Sequence, residues 1–415
     1  MKNEVRPWTV LAERNFALFW VSLLASGIGS RISSVAIGWQ IYEITNSAWQ
    51  LGLTGLFRAI PILVFSLTGG VLADRLDRRR LLIVTQSLAM LLALLLAVLT
   101  QTGQVRVWHI YAIIFLSGVV NSFDQPARQA IIPNLVPREH LTMAFALNVT
   151  LRQTASLAGP FVGGVLLAAA GLAWSYYINA LSFVGVIACL IFMRVEQSGA
   201  PPKKESALKS MLAGLEFVRR QPVILALLVM DTCVVFFGAY DVMMPVFARD
   251  LLRVGPTGLG ALLGAPAIGA LVGSSLFMGL GNRAHTGRLV ITVTLLYTAG
   301  IIVFAFSSSF SLSLCVVFLL GALDAVGETL RMTVIQLLTP DELRGRVQGV
   351  VRMFVFGFPT LGNAQIGALA AFLGVPWAVA LGGLIGSAVV RSTRRHMVAG
   401  WTWSMFLPSV AWMSI

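Results

Sequence analysis

The sequence predicts an all-α integral membrane protein of twelve transmembrane helices, arranged as two six-helix bundles related by pseudo-symmetry. Three observations predict it: too few charges for a water-soluble surface, twelve apolar runs of spanning length, and an internal repeat of half the chain. Of 415 residues, 57% are hydrophobic and 11% charged, whereas an average soluble domain is about 25% charged. A soluble enzyme of this size is excluded because it could not coat its surface. Cys189, Cys233 and Cys315 all sit in apolar runs without pairing or ligand spacing. They point to neither a disulfide nor a metal, and no cofactor is expected.

A helix needs roughly 20 apolar residues to cross a bilayer. Spans 1 to 6 are expected at about Phe16–Tyr42, Gln50–Ala73, Leu81–Thr100, Trp108–Ala127, Leu141–Ala169 and Ala173–Met193. Spans 7 to 12 follow at about Pro222–Phe247, Thr257–Leu280, Leu289–Ser307, Phe310–Thr329, Val347–Leu373 and Val375–Arg391. The first run continues well past the small residues Ala25 to Gly27, so it reads as a span and not as a cleaved secretory signal. The expected domains are residues 1–193, a first six-helix bundle; 194–221, a linker; 222–396, a second bundle; and 397–415, an apolar tail with Trp401, Trp403 and Trp412.

Lys and Arg stay preferentially on the cytoplasmic side of short loops. With the N-terminus inside, the inner loops and tails hold 23 of the 30 Lys and Arg and the outer loops hold three, Arg106, Arg249 and Arg253. Both termini are therefore expected in the cytoplasm, and the positive charge is a topology signal. Nothing remains for a nucleic-acid partner to explain.

The two halves are copies. At an offset of 203 residues, Arg128, Pro137, Glu139, Gly159, Gly164, Gly171 and Trp174 coincide with Arg331, Pro340, Glu342, Gly362, Gly367, Gly374 and Trp377. Chance matches in an apolar chain would be mostly Leu, Val and Ala. A parallel repeat of six spans is the sequence form of transporters whose halves rock about a site at the bilayer midplane.

The stretch Gly70-Val-Leu-Ala-Asp74-Arg75-Leu-Asp77-Arg78-Arg79-Arg80 resembles G-x-x-x-D-R-x-G-R-R, the loop signature between spans 2 and 3 of the major facilitator superfamily, with Asp77 where that family has Gly. Ala155-Ser-Leu-Ala-Gly159-Pro160-Phe-Val-Gly163-Gly164 on span 5 resembles the antiporter motif of that superfamily's exporters. With Asp124-Gln-Pro126-Ala-Arg128, the chain is similar from about Phe16 to Val390 to drug:proton antiporters, and most to the branch of enterobactin exporters. The resemblance implies a multi-pass protein of the inner, cytoplasmic membrane that exports a drug-like or siderophore-like molecule by alternating access. Its expected partners are a small-molecule substrate, protons and the lipid bilayer, and it is expected as a monomer.

Physics gives these motifs roles. Asp74 among Arg75, Arg78 and Arg79 can latch one conformation by holding cations or a helix N-terminus; the competing role is a purely topogenic basic loop. Gly159, Gly163 and Gly164 let span 5 approach a neighbouring helix and Pro160 bends it, which also describes plain packing.

Ionisable residues inside spans cost about 2.5 to 3.5 kcal/mol each and face a cavity or a partner. Arg31, Arg58, Arg152 and Arg352 lie in spans, with Asn148 on the stripe of Arg152 and Gln348, Pro359 and Asn363 on that of Arg352; these are the substrate-cavity candidates. Arg58 is near enough to a surface to snorkel instead. Four cations suggest a positive cavity suited to an anionic or catechol-like solute. Arg does not deprotonate, and His109, His140, His285 and His396 fall at span ends, so a proton carrier must be a carboxylate. Asp231 and Asp241 on span 7 and Asp324 and Glu328 on span 10 are the candidates. For Asp231 the alternative is an ion pair with Arg31 or Arg152, and for Glu328 a pair with Arg331, one turn away.

No G-x-x-x-x-G-K-[ST] string occurs, which disfavours ATP-driven pumping. The other classes open are import or leaflet transfer of a lipid-like solute, a non-transporting receptor, and an intramembrane enzyme, which would need an acid–base pair or metal ligands at depth.

Overall fold

A computed structural model describes residues 7–193, 207–280 and 286–400, except for the side chains at 66–75, 207–211, 280, 286–287, 352, 356–359 and 394–400. Every regular element among these residues is helical, as lipid demands, because a helix satisfies its backbone hydrogen bonds within one segment. Spans 1 to 6 run Arg14–Thr45, Ala48–Arg75, Arg78–Gln101, Val107–Ile131, Leu141–Ala170 and Leu172–Phe192. Spans 8, 9, 10 and 12 run Gly255–Leu280, Thr286–Ala305, Phe310–Leu338 and Val375–Gly400. Eleven helices among the described residues are long and apolar enough to cross a membrane, the segment Pro222–Leu251 counted as one. The region of span 11 is three consecutive pieces: Arg344–Arg352, a π-helical turn Met353–Gly357, and Phe358–Leu373.

Two expectations are corrected here. Span 7 is not one helix: Pro222–Phe237 ends at Gly238, whose N–H donates to Val234 O at 2.9 Å, and a 3-10 turn restarts at Asp241–Met243. The freed carbonyls of Phe236 and Phe237 come so close to Gly362 and Gly382 on spans 11 and 12 that a side chain there would collide with them. The expected common stripe of Gln348, Arg352, Pro359 and Asn363 also fails at the backbone level, because the π turn interrupts the 3.6-residue phase between Arg352 and Pro359. The linker contains a helix, Ala207–Arg220, whose Gly214 and Val218 pack on the start of span 11. The tail beyond residue 400 lies outside the described residues.

The repeat is visible in turns and contacts. Gly171 between spans 5 and 6 and its copy Gly374 between spans 11 and 12 have φ of 83° and 82°, which side-chain-bearing residues rarely adopt. The halves meet along span 5 against span 8 and span 2 against span 11. A Cβ on Gly164 would fall 2.7 Å from the Cα of Gly260, and one on Gly367 2.7 Å from the Cα of Gly52. These pairs occupy equivalent places in the repeat.

The cores report how the halves are disposed. At the end away from the linker, one buried cluster runs through both halves, from Val35, Ile41 and Tyr176 to Met243, Phe247 and Val379. At the linker end the buried clusters stay within one half: Phe16, Leu82, Ala144 and Leu190 in the first, and Ile224, Leu228, Ile335 and Val350, with Met230 and Val390, in the second. The cleft between the halves therefore opens toward the linker end.

Candidate functional site

The cleft is lined by charges. Arg31 on span 1 lies against Gly159 of span 5, where a side chain would collide with its Cβ. Arg58 on span 2 is in electrostatic reach of Arg31 and, across the cleft, of Asp241 at the restart of span 7. Asp324 is in reach of Tyr240 and Tyr297, and with Glu328 of Asp231. Arg31, Arg58, Asp241, Asp324 and Glu328 are each crowded by protein yet exposed to solvent. Exposure in a crowded environment is what a cavity-facing side chain shows.

Asp231 is different. It is buried, and its Oδ1 accepts from Arg331 Nη2 at 2.8 Å. Its partner is thus neither Arg31 nor Arg152, and Glu328 is in electrostatic reach of Arg331 without an ion pair within 4.0 Å. Arg331 reaches one further carboxylate, Asp324, at 3.9 Å. Val293, Thr294 and Tyr297 of span 9 complete a small cavity with Asp231, Asp324 and Arg331.

A second buried ion pair was missed in the sequence as a site. Asp124 on span 4 is 3% exposed, pairs with Arg128 one turn on, and accepts from Thr85 Oγ1 at 2.9 Å and Gln86 Nε2 at 2.6 Å. Arg128 is the repeat partner of Arg331, so each half has a buried pair at this level. The i,i+4 spacing of Asp124 and Arg128 was the readable signal; Thr85 and Gln86, on another span, were not.

The remaining candidates are placed as follows. Arg78 donates to Ala130 O at 2.9 Å, and Arg79 to Leu190 O and Ile191 O at 2.5 and 2.7 Å, tying the loop to the ends of spans 4 and 6. Asp77, the departure from the family pattern, caps span 3 by accepting from the N–H groups of Arg79 and Arg80. The side chains of Gly70, Asp74, Arg75 and Arg352 lie outside the described residues. Arg152 is exposed and Asn148 half-buried. In the span 5 motif, Gly159 and Gly163 face span 1 and Gly164 faces span 8, while Pro160 sits inside the helix with its carbonyl against Gly260. Span 5 is thereby wedged between its own half and the other.

At the end away from the linker the halves are joined by polar groups as well as by core. Tyr42 Oη of span 1 donates to Asp250 Oδ2, Arg249 Nη1 donates to Tyr42 O at 3.3 Å, and the Arg249 guanidinium lies 5.5 Å over the Tyr42 ring.

Paired helical bundles with a charged cleft open at one end define a membrane transporter. The chain belongs to the transmembrane secretion effector family, whose sequence model matches residues 5–402, within the major facilitator superfamily; it is not an enzyme. It is similar to the enterobactin exporter EntS of Shigella boydii serotype 18, with 28% identity over 86% of this chain and 85% of that protein, and equally to EntS of Escherichia coli O139:H28. Among solved structures, the fold matches an inward-facing bacterial homologue of the lysosomal transporter Spinster (TM-score 0.70, 15% identity, 93% of each chain). It also matches the nucleoside transporter NupG (TM-score 0.71, 9% identity, 92% of this chain and 98% of that one).

Proposed function

We propose that this transporter exports a small organic molecule, drug-like or siderophore-like, across the cytoplasmic membrane in exchange for protons, by exposing its central cleft alternately to each side. The observation that carries the reading is the cleft itself: charged side chains at membrane depth, walled by both halves, sealed at one end by a shared core and open at the other. In this reading the bundles 1–193 and 222–396 rock as units about the contacts of span 5 with span 8 and span 2 with span 11, and the linker 194–221 joins them on the cytoplasmic side with both termini. The cation asymmetry of the loops supports that orientation.

Arg31 and Arg58, with Arg152, Arg352 and Asn148 as further candidates, face the solute. Asp231 carries the proton: it is the buried carboxylate whose one close cation, Arg331, is shared with a second acid, Asp324, so that its ion pair has a competitor. Asp241, Asp324 and Glu328 are the alternates. Asp74 and Arg75, with Arg78 and Arg79, control exchange between conformations, and Gly159, Pro160, Gly163 and Gly164 provide the pivot. The similarity to enterobactin exporters supports export of a siderophore-like molecule. The test is export of a panel of catecholates and drugs from cells with and without the protein, followed by collapse of the proton gradient. Protein-dependent export that stops on collapse is expected; export unaffected by the collapse would contradict proton exchange.

A further inference from the structure

Opposite charges stand on opposite walls of the cleft. The first half contributes Arg31 and Arg58; the second contributes Asp241, Asp324 and Glu328. Arg31, Arg58, Asp241 and Glu328 have no oppositely charged partner within 4.0 Å among the described residues. Asp324 reaches only Arg331, at 3.9 Å, and that guanidinium is already held at 2.8 Å by Asp231. Elsewhere the protein satisfies such groups at depth: Asp124 has two donors and an ion pair with Arg128, and Asp231 has Arg331. These five charges are segregated by half. Arg58 and Asp241 are within electrostatic reach of one another but form no ion pair within 4.0 Å among the described residues.

We infer that the solute carries charges of both signs, an anionic group seated against Arg31 and Arg58 and a cationic group seated against Asp241 and Asp324. The inference rests on the transport reading and narrows its substrate class. A uniformly positive cleft would favour a simple anion. With acids on the second wall, a monoanion leaves Asp241 and Asp324 unmatched, and a monocation leaves both arginines unmatched. Only a zwitterion relieves both walls at once, and a charged group left desolvated without a partner is the costly outcome. The break in span 7 puts Asp241 at the start of a separate turn, and the freed backbone is tolerated because it is buried against spans 11 and 12.

Three probes on one ring test it: 4-(aminomethyl)benzoic acid, a zwitterion; its N-acetyl derivative, an anion; and its methyl ester, a cation. Equilibrium binding to the purified full-length protein, and counterflow in proteoliposomes, should favour the zwitterion over either derivative by at least about tenfold, the worth of one charge-assisted hydrogen bond. Arg58→Gln should weaken the zwitterion and the anion while sparing the ester, and Asp241→Asn should weaken the zwitterion and the ester while sparing the anion. The ranking of the three probes on the unmutated protein stands even if a variant does not fold. Equal binding of the N-acetyl acid and the zwitterion, or no binding of any probe, would overturn the inference. Counterflow of the anion alone would overturn it while leaving the transport reading intact, and that reading fails separately if nothing in the catecholate and drug panel is exported.

Discussion

Asp231 on span 7 and Arg331 on span 10 form a buried ion pair, 2.8 Å between Oδ1 and Nη2, with 11% of each side chain exposed. Removing one member of such a pair leaves an uncompensated buried charge and costs about 3 to 5 kcal/mol, whereas removing both costs far less. Arg331→Ala should therefore lower thermal stability in detergent sharply, and Arg331→Ala with Asp231→Asn should recover most of the loss. Additive losses in the double variant would mean that the two residues do not act as a pair.

The equivalent pair in the first half should behave as a fixed strut. Asp124 accepts from Thr85 and Gln86 and is ion-paired with Arg128, a set of contacts that holds the carboxylate still. Asp124→Ala strands both donors and the Arg128 charge, at about 1 to 3 kcal/mol for each neutral group and more for the charged one. Asp124→Asn, which keeps an acceptor for Thr85 and Gln86, should retain gradient-driven transport per folded molecule. Loss of gradient coupling with normal folding in Asp124→Asn would make this residue a carrier.

How far the sequence reveals this molecule depends on whether a feature is local. Apolar runs and the repeat specify the spans, and the matched glycines Gly164 and Gly367 anticipate close helix contacts. The break of span 7 is hidden because Gly238 sits in an unbroken apolar run; what permits it is Gly362 and Gly382 on other spans, making room for the freed carbonyls. The partner of Asp231 is hidden for the same reason: Arg331 is 100 positions away, and helical spacing relates Arg331 only to its neighbours on span 10. The π turn at Met353–Gly357 likewise has no composition that marks it.

The seal at the end away from the linker makes its own prediction. Tyr42→Phe removes the hydroxyl that donates to Asp250. A hydrogen bond to a charged group is worth about 1.5 to 3 kcal/mol, so the population opened at that end should rise roughly ten- to a hundredfold. Spin labels at the exposed positions Ile44 and Leu251 should show a longer-distance component that is weaker in the unmutated protein. An unchanged distance distribution would mean that the Tyr42–Asp250 contact does not hold the halves together.

Close packing of the halves is tested at Gly164. A Cβ there meets the backbone of Gly260, which cannot move aside as a side chain would, and overpacking of this kind costs about 1 to 3 kcal/mol. Gly164→Ala should lower both thermal stability and transport. Gly185→Ala on span 6, where an added Cβ meets nothing within 4 Å, should leave both intact or improve stability slightly. Equal effects of the two substitutions would remove the special role of the span 5 contact.

The central claim is that Asp231 carries the coupled proton, and the most direct measurement compares two modes of transport in one variant. Asp231→Asn, reconstituted in proteoliposomes, should lose accumulation driven by a proton gradient while keeping passive substrate counterflow, because the solute-facing residues are untouched and Asp324, 3.9 Å from Arg331, remains to hold that cation. Intact gradient-driven accumulation in Asp231→Asn would contradict the claim and move the proton to Glu328 or Asp241; loss of both modes together would reduce Asp231 to a structural partner of Arg331.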